Sequence, residues 1–137
     1  MTPRVISLDD LCIHQVCLSG TCDFASSVGV LADAQIKRTA IWNPMVEAVG
    51  EAEALSIWKD SGLVADSLCA AELGAGSDHL RAMLDRADSF DARTVVMITG
   101  GFGPNAAAGC DWQTIDDARA ELVDRLAEAD ALARPYN

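Results

Sequence analysis

The chain has 137 residues, half of them apolar, and sets 10 Lys and Arg against 21 Asp and Glu for a formal net charge of −11. That length fits one domain, residues 1–137, with a sizeable core, and so acidic a surface repels phosphate backbones and argues against nucleic acid as a partner. No stretch approaches the ~20 uncharged apolar residues of a membrane span, and no charged start followed by an apolar core marks a secretory leader.

The first apolar run, Leu11 to Leu18, predicts a strand that Ser19-Gly20-Thr21 ends. A helix is expected from about Phe24 to Gln35, with Asp23 as its N-cap and Phe24, Val28, Leu31 and Ala32 on one face. Arg38 to Trp42 reads as the second strand, broken by Asn43-Pro44 because a residue before proline is pushed out of helical geometry. A second helix is expected over Glu51 to Asp60, burying Leu55 and Trp58 and ending at Ser61-Gly62.

The third strand is expected over Leu63 to Cys69, followed by a loop of small residues from Ala70 to Gly76. Ser77 is placed to cap the third helix, whose stripe is Leu80, Leu84 and Ala87 and which ends near Ser89-Phe90. Thr94 to Thr99 is continuously apolar and β-branched, the pattern of a strand buried on both faces, and Gly100-Gly101 stops it. After a long loop, Thr114-Ile115-Asp116-Asp117 resembles a capping box, and the last helix carries Ile115, Leu122, Leu126 and Ala129 toward Arg134-Pro135. Its acids, from Asp116 to Asp130, read as a solvated face.

Five cysteines, Cys12, Cys17, Cys22, Cys69 and Cys110, include no C-x-x-C pair. With no leader in view they read as reduced thiols of a cytoplasmic protein, Cys12, Cys17 and Cys69 being strand residues. Four strand-then-helix units in succession imply an α/β fold with a parallel sheet.

Three stretches together carry a family resemblance: Ile6-Ser7-Leu8 leading into Leu11-Cys12-Ile13-His14-Gln15; Ala40-Ile41-Trp42-Asn43 with Val46 to Gly50; and Asp60 to Cys69 followed by Thr94 to Gly101. In this order the chain resembles the N-terminal half of a xylose isomerase-like TIM barrel of the sugar phosphate isomerase/epimerase type. The resemblance implies a (βα)4 half-barrel with its helices outside, against the alternative of an open doubly wound parallel sheet. A complete (β/α)8 barrel needs about 250 residues. The resemblance further implies metal-assisted proton transfer on a small sugar, sugar phosphate or polyol. The divalent ion (Mn, Mg or Zn) is held mostly by strands of the second half, so this chain alone is not expected to hold it.

TIM-barrel sites lie at the C-terminal ends of the strands, which selects the candidates here. His14 is a candidate proton shuttle or hydroxyl ligand, against a histidine satisfied in the barrel interior, and only one of His14 and Gln15 can face the barrel centre. Glu72, the one carboxylate of its loop, is a candidate general base, against a solvated glutamate. Trp42 offers a stacking face for a sugar, against simple packing, and Asn43 beside it is a substrate contact or a turn residue. Gly100 and Gly101 would let a ligand approach the backbone, against a plain glycine turn; the run fits neither a P-loop nor a dinucleotide fingerprint. Asp66 is mid-strand, and His79 is expected at the surface.

A curved four-stranded sheet leaves two open edges and a bare concave face, which are sites of association. A homodimer, or a second half-barrel chain, is the expected partner beside the small sugar or polyol. The competing expectation is a non-catalytic binding or assembly module on the same scaffold.

Overall fold

The computed structural model describes residues 6–99 and 114–136. Its strands are β1 (Cys12–His14), β2 (Arg38–Trp42), β3 (Val64–Glu72) and β4 (Val95–Ile98). Its helices are α1 (Phe24–Asp33), α2 (Asn43–Val49), α3 (Glu51–Ser61), α4 (Ser77–Ser89) and α5 (Ile115–Ala133). The strands pair parallel in the order β1-β2-β3-β4. A doubly wound sheet reverses its strand order at a switch point. Here every strand pairs with its successor, and right-handed crossovers then place the helices on one face. The architecture is the (βα)4 half-barrel, and the doubly wound alternative is excluded.

The core lies between sheet and helices. Ile41, Ala65, Leu68 and Ala71 project outward from the strands against Phe24, Val28, Val46, Trp58, Met83, Leu84 and Phe90. Phe90 is the hub, meeting the rings of Phe24 and Trp58 edge-on at centroid distances of 6.4 and 5.9 Å, arrangements that add about 0.5–1.5 kcal/mol each beyond area burial.

Several elements differ from expectation, each for a local reason. β1 stops at His14 instead of running to Leu18, and Gln15–Cys17 form a 3-10 turn, so Cys17 lies outside the strand. The His14 ring accepts from Val16 N–H at 3.1 Å, a local bond that competes with extension of the ladder. Pro44 does not break the chain after β2. It occupies the first turn of α2, where its missing N–H costs nothing, and Trp42 is the N-cap residue. Gly50, at φ +89° and ψ 138°, separates α2 from α3 in a conformation that side-chain-bearing residues avoid.

β3 runs on to Glu72, so Ala70 to Glu72 belong to the strand and not to a loop, with a register shift between Cys69 and Ala71. Gly76 caps α4, while Ser77 is the first helical residue and bonds Glu128 on α5. α1 buries Ser27 beside Phe24, Val28 and Leu31, leaving Ala32 exposed.

β4 is covered on one face only. Val95 and Met97 pack on the core, whereas Val96 and Ile98 are 37% and 45% exposed. The helices lie on one side, and nothing among the described residues lies over the other. The α5 stripe is likewise shallower than expected: Ala118 and Ala129 are buried, while Ile115 and Leu126 are 59% and 50% exposed. α5 packs chiefly on α4, and Leu126 borders a cavity of about 560 Å³ between α4, α5 and β4. Thr114 caps α5 as one half of the expected box, its Oγ1 accepting from Asp117 N–H at 3.1 Å and donating to Asp117 Oδ2 at 2.7 Å. Among the described residues no helix is long and apolar enough to cross a membrane.

Candidate site at the strand ends

The strand register decides which side chains face the barrel centre. Cys12 pairs with Arg38 and His14 with Ala40, so these residues share the concave face with Trp42. On β3 and β4 the outward Leu68, Ala71, Val95 and Met97 leave Asp66, Cys69, Glu72, Val96 and Ile98 on that same face.

Two predicted residues meet at the mouth. The rings of His14 and Trp42, at the C-terminal ends of β1 and β2, stand edge-to-face with centroids 5.8 Å apart. Both are half-buried. Burial lowers the His14 pKa from 6.5, and the ring nitrogen that accepts from Val16 N–H could not do so when protonated. The neutral ring therefore carries its proton on Nε2 and offers a donor to the mouth.

Gln15 builds this corner from behind. It is fully buried, and its Nε2 donates to Ser27 Oγ at 3.0 Å while its Oε1 accepts from Trp42 N–H at 3.0 Å. Where β1 ends, this side-chain carbonyl substitutes for the backbone acceptor that another strand residue would have supplied. Of the His14/Gln15 pair, His14 faces the barrel centre, and Gln15 ties β1, α1 and β2 together. Periodicity gives no sign of this role, because a glutamine in an apolar run reads equally well as a turn residue.

Glu72 is the last residue of β3. Its backbone N–H lies 3.4 Å from His79 Nε2, so His79 is a half-buried support beneath the β3 end and not a free surface residue. Asn43 is elsewhere. It is buried, donates to Glu47 at 3.0 Å and accepts from Arg86. Arg86 also reaches Glu51 at 2.9 Å and Glu47 at 3.2 Å, making one clamp that joins α2, α3 and α4. Gly100 and Gly101 lie outside the described residues.

Deeper on the concave face Arg38 and Asp66 form a two-point ion pair. The Arg38 guanidinium holds the Asp66 carboxyl below its ordinary range, while burial and the bond to Asp66 push the Cys12 thiol up to about 11. This pair was legible only as opposite charges placed inside two otherwise apolar strands.

A divalent cation needs several convergent oxygen or nitrogen donors. Among the described residues no three His, Cys, Asp or Glu side chains gather to hold one. Glu72 and His14 stand at the mouth as two separated donors, so these residues do not fit a metal site by themselves.

No protein-family model matches the chain, and no curated protein matches it. Solved structures do. Protein SMc04130 from Sinorhizobium meliloti 1021 superposes with a TM-score of 0.79 at 25% identity, over 94% of this chain and 48% of that one. A xylose isomerase domain containing protein (stm4435) from Salmonella typhimurium LT2 superposes with a TM-score of 0.64 at 14% identity, over 96% of this chain and 48% of its own. The fold is half of a xylose isomerase-like barrel. The half-barrel spans about half the length of both solved chains, and its mouth corresponds to the face on which barrel enzymes build their sites.

Proposed function

We propose that this half-barrel contributes the substrate-facing strand ends of a sugar isomerase or epimerase acting on a small sugar, sugar phosphate or polyol. The observation that carries the reading is the contact of His14 with Trp42 at the mouth of a xylose isomerase-like fold. The indole offers an apolar platform for the C–H face of a sugar. His14 Nε2–H, held outward by the Val16 bond, donates to a carbonyl or hydroxyl oxygen and stabilises negative charge developing there. Glu72, two strands across and further along β3 than Ser67, the residue level with His14, is the carboxylate that takes the proton from the carbon next to that oxygen and returns it to the neighbouring carbon. The divalent ion of the completed site (Mn, Mg or Zn) would draw most of its ligands from the completing half, and no step above is routed through it.

The test is a titration of the full chain with aldoses, ketoses and polyols, followed by NMR of the His14 and Trp42 ring protons, alongside solvent-deuterium uptake into the sugar with Mn²⁺ or Mg²⁺ added. Selective shifts at both rings, with the His14 shift lost in Trp42→Ala and deuterium taken up into the sugar, support the reading. Rings that do not respond to any sugar at millimolar concentration overturn it. The second reading, a non-catalytic binding or assembly module, draws on the apolar Val96 and Ile98 that occupy the inner face of β4. It predicts ring shifts without deuterium uptake in any assembly state.

A further inference from the structure

We propose that the concave face and the two free sheet edges form the interface for a second copy of this chain, closing a ring in which β4 of each copy lies parallel to β1 of the other. The inference rests on the half-barrel fold and not on the sugar chemistry proposed above. Among the described residues β1 and β4 each have one strand neighbour, so each carries a row of backbone groups with no ladder partner there. The two edges match in length, three residues against four, and in direction, since every pairing in the sheet is parallel. A two-fold axis along the barrel satisfies both edges of both copies at once.

Charge points to the same face. Each copy carries −11, so approach through the outer helices is repulsive, above all along α5 with Asp116, Asp117, Asp124 and Glu128. The concave face carries little charge instead: Arg38 and Asp66 neutralise each other, which leaves Glu72 at the mouth, and the apolar Val64, Val96 and Ile98 are 43%, 37% and 45% exposed there.

Sedimentation velocity on the full chain over a dilution series tests this. Twice the single-chain mass is expected, with tighter association at higher salt as the repulsion between the two acidic chains is screened. Val96→Lys and Ile98→Lys place an ammonium inside the ring from positions already open in one copy. Both are expected to run as monomers with unchanged helical circular dichroism, while Val123→Lys, on the 66% exposed outer surface of α5, stays dimeric. Hydrogen exchange at the β1 and β4 amides, which needs no variant, is expected to speed up on dilution of the wild type. A wild type of single-chain mass at every concentration and salt overturns the proposal. So do lysine variants that remain dimeric, or edge amides insensitive to dilution. None of these readouts involves sugar, so failure here leaves the functional reading to its own test.

Discussion

Replacing Gln15 by Leu keeps the volume of a fully buried side chain and removes both of its hydrogen-bonding groups. The bond from Nε2 to Ser27 Oγ is lost, at a net cost of about 0.5–1.5 kcal/mol. Trp42 N–H, which gave its bond to Gln15 Oε1, is left without an acceptor inside the sheet, at a cost of about 1–3 kcal/mol. Ser27 Oγ still donates to Phe24 O at 2.7 Å, so the damage does not spread along α1. The sum is a loss of about 1.5–4.5 kcal/mol, read in urea unfolding as a lower midpoint at constant slope. Native-state hydrogen exchange localises it: Trp42 N–H should exchange much faster in Gln15→Leu, while Ile41 N–H changes only as global stability does. A variant within about 0.5 kcal/mol of wild type, or a Trp42 amide that keeps its protection, refutes the view that this side chain substitutes for a strand residue.

Three further outcomes are expected. Because burial lowers the His14 pKa below 6.5, the unfolded chain binds this proton more readily; the contribution is present above 6.5 and is lost as pH falls through the folded value, so His14→Gln should flatten that part of the stability–pH curve and proton NMR should show a midpoint below 6.5. Asp66, lowered by its bond to Arg38, contributes stability above its ordinary 3.8 that is lost as pH falls through its folded pKa, a loss absent in Asp66→Asn; the same variant should speed alkylation of Cys12, whose pKa of about 11 owes part of its rise to Asp66. Arg86→Ala removes the donors to Asn43, Glu47 and Glu51 and should cost about 2 kcal/mol, with Arg86→Lys intermediate, seen as successive drops in melting temperature.

The architecture was legible because its signals are local. β2, the Asp23 and Thr114 caps and the Gly62 stop at φ +70° come from short-range rules, and each stands where its residues place it. The errors arise where a side chain or a neighbour overrides pattern. Leu11 to Leu18 is apolar enough for a long strand, yet His14 and Gln15 spend their polar groups on a turn and a relay. Val96 and Ile98 have the composition of doubly buried residues, but burial depends on a layer that periodicity cannot supply. At the site, the strand-end rule brought His14, Trp42 and Glu72 to one face, whereas Asn43 was drawn into the clamp by Arg86, a partner 43 residues away in sequence.

The unreversed strand order also bears on how the molecule acquires its shape. Cys12 faces Arg38, Arg38 faces Val64 and Leu68 faces Val95, so each strand waits only for the next βα unit. Loop closure over such a span is inexpensive, and its cost grows slowly with length. The sheet can therefore grow outward from β2 and β3 as the chain emerges, with no early strand held open for a distant late one. Folding of one copy is then a first-order phase independent of protein concentration, and the proposed ring closure would follow it as a phase that accelerates with concentration.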